Sequence, residues 1–120
     1  MSDQDESANA SEHMAPLLEA LRKDPKRAEY YKDLIEPLHR YDHEHHGDLV
    51  KTLAAYLRHA GNSTRTANTL FLHRNSLAYR LARIQALTGL DIDDPDARMA
   101  LQVGLLVSAE AAPRADENKS

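Results

Sequence analysis

Two helix stops, Gly61 followed by Asn62 and Thr88 followed by Gly89, bracket the stretch that most restricts the fold of this chain. Gly61 is free to take the left-handed conformation that ends a helix, and Asn62 is a good N-cap for the next one. Between the two stops, NSTRTANTLFLHRNSLAYRLARIQALTG reads as a short helix, a tight turn and a longer helix. In the second helix Leu77, Leu81 and Ile84 are spaced by four and three, so they share one face. At about 100° per residue, Asn75, Ala78, Tyr79, Ala82 and Arg83 then point away from that face. Ala67 supplies the small residue that two closely approaching helices need, and Leu70 and Leu72 flank the turn on the core side. This is the outline of a helix-turn-helix over residues 62–89, whose second helix can be presented to the major groove of DNA.

One position departs from the common pattern. The turn residue after Leu70 is often glycine, and here it is Phe71. A non-glycine residue held left-handed there costs about 1–2 kcal/mol. Either the turn takes another shape or packing of the ring offsets the strain.

Charge supports a nucleic-acid partner once it is divided along the chain. The net charge of −4 argues against one. Yet residues 1–48 carry 12 acidic and 6 basic side chains, and residues 91–120 carry 7 acidic and 3 basic. Residues 49–90 carry Lys51, Arg58, Arg65, Arg74, Arg80 and Arg83 and no acid at all. The positive charge therefore coincides with the motif, where phosphate contact requires it.

The same kind of punctuation organises the flanks. Residues 1–13 are polar and lack periodicity, so they are read as a disordered tail. Met14 to Lys23 has helical spacing. Asp24-Pro25 starts a helix with Ala28, Tyr31, Leu34, Ile35 and Leu38 on one side. Pro37 should kink or end that helix. Tyr41 to Gly47 then reads as a polar connection, with Asp48 capping a helix whose inner side is Leu49, Leu53, Tyr56 and Leu57. Asp94-Pro95 starts the last helix, to about Ala111, with Met99, Val103, Leu106 and Val107 on one side and Leu101 and Leu105 on another. Residues 112–120 are read as a second tail. The expectation is an all-α fold: a compact helical domain over residues 14–111, with five or six helices; its motif distantly resembles a Fis-like helix-turn-helix.

Other functional classes find little support. With no cysteine, disulfides and cysteine-based zinc sites are excluded. No apolar run approaches the ~20 residues of a membrane span. The acidic start MSDQDESANASEH does not match a signal peptide, so a cytoplasmic location is expected. His39 and His43 are four apart, as helical metal ligands can be, but no second cluster completes a site, and no metal or other cofactor is expected. Asp91, Asp93, Asp94 and Asp96 lack the glycine and terminal glutamate of a calcium loop. No phosphate loop, nucleophile elbow or HExxH is present, so an enzyme is not expected.

The stretch from Asn62 to Val107 resembles the C-terminal helix-turn-helix domain of the PucR/CdaR-type bacterial transcription regulators. Three elements carry the resemblance: GN before the first helix, LHRNS–YRL–RI along the second, and TGLDIDDPDARMALQ after it. Upstream, LIEPLHRYDHEHHGDLVKTLAAYL is similar to the family's lead-in, with PL-x-x-YD before D-L-x-x-T-L. The family tolerates a bulky residue where Phe71 stands. The resemblance implies a sequence-specific DNA-binding transcription regulator that acts as a dimer. Its recognition helix would run from about His73 to Leu87, with Arg74, Asn75, Ser76, Tyr79 and Arg83 facing DNA and Arg80 at the edge. Family members usually carry a sensory domain before this module, so the chain is either a short member or a piece of a longer regulator.

By chemistry, Arg74 or Arg83 suits guanine or phosphate, Asn75 suits adenine, and Ser76 and Tyr79 suit phosphate or a thymine methyl. Lys51, Arg58 and Arg65 would add phosphate contacts, and six such contacts imply a salt slope of about −5. The expected partners are double-stranded DNA and a second copy of the chain, with a longer regulator or RNA polymerase as further protein partners. Leu101, Leu105 and Val107, or the helix around Leu17, Leu18 and Leu21, are the candidate dimer surfaces. The competing reading is a protein-interaction module that pairs with a longer regulator and has no DNA specificity of its own.

Overall fold

A computed structural model describes residues 3–111, with side chains described from His13 to Ala109. Among these residues there are six helices and no strand: α1 (Asp3–Arg22), α2 (Pro25–His45), α3 (Leu49–Arg58), α4 (Ser63–Leu70), α5 (Arg74–Thr88) and α6 (Pro95–Ala111). The all-α expectation is met. The backbone of residues 3–13, read from sequence as a tail, belongs to α1, and residues 112–120 lie outside the described part.

Several helix starts follow local chemistry. The Asp24 carboxylate accepts from the Arg27 backbone N–H, Asn62 Oδ1 from that of Arg65, and Asp94 Oδ2 from that of Ala97. Each satisfies one of the N–H groups that a helix start leaves without an intrahelical partner.

The start of α3 differs from the sequence expectation. Asp48 occupies the cap position but its side chain makes no capping bond. The Asp42 carboxylate takes that role from α2, accepting from the backbone N–H of Leu49 at 2.7 Å and of Val50 at 3.0 Å. This is possible because α2 does not end at Pro37. It runs on to His45 and closes at His46, which is left-handed, with its N–H donated to the Asp42 carbonyl. The supposed polar connection from Tyr41 is therefore mostly helix. An interior proline costs about 3 kcal/mol. Burial of Leu38, packing of Tyr41 against the core and the Asp42 cap are the compensating contacts on the far side of that proline.

The core joins Ile35 and Leu38 of α2, Leu49, Leu53 and Tyr56 of α3, Ile84 of α5, Ile92 of the following link and Leu101 of α6. The most extensive helix pair is α2 with α6. They approach closely at Gly104, where an added Cβ would lie 2.7 Å from both Ile35 Cγ1 and the Tyr31 carbonyl oxygen. That approach selects the inward face of α6 as Ala97, Leu101, Gly104 and Ser108, together with Val107. Met99, grouped by periodicity on one side with Val103, Leu106 and the buried Val107, is 70% exposed. Leu101, assigned to a dimer surface, is fully buried within the chain, and Leu105 packs against the core. A helix that is apolar on more than one side leaves its orientation undetermined by periodicity, and the partner helix decides it.

Candidate nucleic-acid interface

The geometry of the motif begins with α4. Thr66 and Ala67 are its buried residues, and Ala67 lets α5 approach. The Thr66 hydroxyl is satisfied by donating to the Asn62 carbonyl at 2.7 Å. After α4 the chain reverses at Phe71, whose φ of 56° is left-handed. The N–H of Leu72 returns to the Ala67 carbonyl at 2.9 Å and that of Phe71 to the Asn68 carbonyl at 3.3 Å. The turn thus has the shape that glycine usually serves, while the Phe71 ring is 95% exposed and gains no packing. Neither escape envisaged from sequence is used, and the backbone carries the strain. Phe71→Gly should therefore raise the free energy of unfolding by about 1 kcal/mol. Urea unfolding at unchanged m-value measures this; a loss of stability would show that the ring has a packing role.

α5 starts at Arg74, with His73 Nδ1 accepting from the Asn75 backbone N–H at 3.1 Å. Leu77 and Ile84 are buried and Leu81 is half-buried, so the inner face is the one read from spacing. Arg74, Asn75, Ser76, Ala78 and Tyr79 are exposed. They form a ridge with a groove on each side. One groove, about 610 Å³, runs between α4 and α5 and is bordered by Ser63, Thr64, Asn68, His73 and Arg74. The other, about 430 Å³, separates α5 from the start of α3 and is bordered by Tyr41, Asp48, Asn75, Ser76 and Tyr79. Arg65 is exposed near the start of α4.

The remaining two arginines differ from this set. Both are half-buried. Arg80 donates to the hydroxyl of Thr52, a fully buried residue of α3, at 3.2 Å. Arg83 donates to the Tyr79 hydroxyl at 3.0 Å, and its guanidinium lies 5.6 Å from the Tyr79 ring centroid and 5.7 Å from that of Tyr41. The Arg83 guanidinium, and to a lesser degree the Tyr41 hydroxyl, hold the Tyr79 phenol below its ordinary pKa. Sequence reasoning did not find Tyr41 or Thr52 as neighbours of this face, because they come from α2 and α3 and no local spacing links them to α5.

His39, considered as a metal ligand, has its Nε2 2.8 Å from the Ser108 hydroxyl oxygen. Among the described residues no three His, Asp or Glu side chains are arranged to hold a metal ion. Also among them, no helix is long and apolar enough to cross a membrane.

The family profile of the PucR C-terminal helix-turn-helix domain matches residues 49–107, which run from the start of α3 into α6. This chain carries a PucR-family helix-turn-helix domain. Its relatives agree. It is 43% identical over 95 residues to the carbohydrate diacid regulator of Escherichia coli, covering 78% of this chain and 24% of that protein. It is 31% identical over 90 residues to the proline-responsive transcriptional activator PutR of Bacillus subtilis, covering 75% and 22%. An uncharacterized protein of Thermomonospora curvata is 40% identical over 90 residues, covering 75% and 49%. The match thus covers about a quarter to a half of the length of these relatives. No solved structure matches the chain. In the PucR-family domain, α5 is the second helix of the motif, and Arg74 to Tyr79 form its exposed N-terminal half.

Proposed function

We propose that this PucR-family domain is the sequence-reading module of a transcription regulator and that α5 docks in the major groove of double-stranded DNA. The observation that carries this reading is the ridge of Arg74, Asn75, Ser76 and Tyr79, exposed between two grooves on the one acid-free basic segment of the chain. A helix standing proud of its neighbours can enter a groove about 12 Å wide while the flanking clefts accommodate the two phosphate backbones. The relatives named as transcriptional regulators support the same direction.

Within this reading Arg74 and Asn75 contact base edges, an arginine fork matching guanine and a carboxamide matching adenine. Ser76 and Tyr79 contact phosphate or the edge of the groove, and Arg65 approaches a phosphate from α4. The groove beside α4 is the more favourable path for a phosphate chain, since Arg74 and His73 border it, whereas the exposed carboxylate of Asp48 borders the other alongside Arg80, which is bonded to Thr52. Arg80 is tied toward α3 and keeps to the edge of the contact.

A second copy of the chain, bound to a neighbouring half-site, would supply the affinity that one motif lacks. With Leu101 and Leu21 both buried within the chain, the candidate left for that contact is the outer side of α1, where Leu17 is 40% exposed. A cytoplasmic location and contact with a longer regulator or RNA polymerase belong to the same reading.

The test is selection of bound sequences from a randomised duplex pool, followed by gel shifts with the full chain. Arg74→Ala and Asn75→Ala should each weaken binding to the selected duplex by about 1–3 kcal/mol and leave scrambled DNA almost unaffected. Equal losses on both duplexes would make these residues backbone contacts. Absence of any enriched sequence would favour the protein-interaction reading.

A further inference from the structure

Resting on that reading, we propose that Arg83 is a positioning residue rather than a DNA contact: held between the rings of Tyr41 and Tyr79, it orients the Tyr79 hydroxyl as a hydrogen-bond donor toward DNA. The outward-pointing arithmetic of α5 made Arg83 a natural partner for guanine or phosphate. Its surroundings give it another task. The guanidinium is within cation–π range of both rings, at 5.6 and 5.7 Å, and one of its N–H groups is committed to Tyr79.

Tyr41 is itself held in place. Its ring stacks on His45, one turn further along α2, with centroids 4.2 Å apart, and it packs against the core. The sequence of contacts His45, Tyr41, Arg83, Tyr79 therefore runs from α2 to the exposed ridge.

The chemistry of the phenol gives this arrangement a direction. A tyrosine hydroxyl is both donor and acceptor. With Arg83 donating to its oxygen and the Tyr41 hydroxyl also acting on it, the remaining capacity of Tyr79 is its own O–H, on a residue that is 58% exposed. A cation on the oxygen also polarises that O–H, in keeping with the lowered pKa of the phenol. A preset donor loses less conformational entropy on binding than a free side chain does.

The full chain is tested as Tyr79→Phe, Arg83→Met and the double variant, on a duplex selected from a random pool and on a scrambled duplex. Each single variant should weaken binding to the selected duplex by a similar factor, about tenfold. The double variant should be no weaker than either single one, because both remove the same contact. The salt slope should not change in any of them, since a neutral hydroxyl releases no counterion. Loss on the selected duplex alone identifies a base-edge acceptor, and equal loss on both identifies a phosphate; either supports the proposal. Losses that multiply in the double variant, or a slope shallower by about 0.9 in Arg83→Met, overturn it and make Arg83 a direct phosphate contact.

A titration of tyrosinate absorbance separates this proposal from the DNA reading itself. The lowered titration of Tyr79 should vanish in Tyr79→Phe and move back up in Arg83→Met. Its persistence in Arg83→Met overturns the coupling. Failure of the unaltered chain to bind any duplex, with the coupling present, overturns the DNA reading and with it the role of Tyr79 there.

Discussion

Raising monovalent salt from about 50 to about 200 mM should weaken DNA binding by about fortyfold, with a log–log slope near −2.7. Six cations lie in the acid-free segment, and on sequence alone all six are available to phosphate, for a slope of about −5. Their availability differs in the fold. Lys51, Arg58, Arg65 and Arg74 are exposed, whereas Arg80 bonds Thr52 and Arg83 lies between two tyrosines. Only a cation that neutralises a phosphate releases a counterion, at about 0.9 per contact, and with Arg74 on a base edge the three contacts of Lys51, Arg58 and Arg65 give the shallower value. Fluorescence anisotropy across a salt series measures it. A slope near −5 would mean that Arg74 also meets phosphate and that Arg80 and Arg83 leave their protein partners on binding, and an affinity independent of salt would exclude phosphate contact altogether.

Leu101→Ala should lower the free energy of unfolding by about 2–5 kcal/mol, whatever the protein concentration. Leu101 is fully buried in the cluster with Ile35, Leu38, Leu53 and Ile84, so truncation removes apolar contact and leaves a cavity in the chain's own core. The surroundings have little room to collapse, because α2 and α6 already meet at Gly104 with the Tyr31 carbonyl oxygen against it. Chemical denaturation at several protein concentrations measures the effect. If the variant keeps its stability and instead shifts the protein from dimer to monomer in sedimentation, Leu101 belongs to an intermolecular surface and the core assignment fails. The exposed Met99 on the same helix gives the contrast: its truncation removes no buried contact and should change stability by less than about 0.5 kcal/mol.

The legible part of the fold was the part written in neighbouring residues. Asp24-Pro25, Asn62 and Asp94-Pro95 each announce a helix start, and in each case the side chain accepts the N–H expected of a cap. The spacing of Leu77 and Ile84 turned the correct face of α5 inward. Pro37 misled for a physical reason: its cost is local and visible, while the contacts that offset it are made on other helices. The cap of α3 was assigned to Asp48 by adjacency, but the carboxylate that reaches Leu49 and Val50 comes from Asp42. Phe71 stands out in the sequence as a non-glycine turn residue, and its left-handed φ of 56° carries the strain that both sequence readings would have relieved. Its exposure, and hence the lack of any packing compensation, could not be read from its identity.

By itself the sequence determined the helical punctuation, the concentration of basic charge on residues 49–90 and the amphipathic cut of α5, all of which depend on residues within a few turns of one another. The tertiary structure alone decided which apolar side of α6 is core and which cations on the motif remain free. Those outcomes depend on Gly104 meeting α2, Thr52 of α3 reaching Arg80 and Tyr41 of α2 lying against Arg83. Burial and hydrogen-bond competition act between surfaces that only folding brings together, and no periodicity within one helix encodes the surface it will meet.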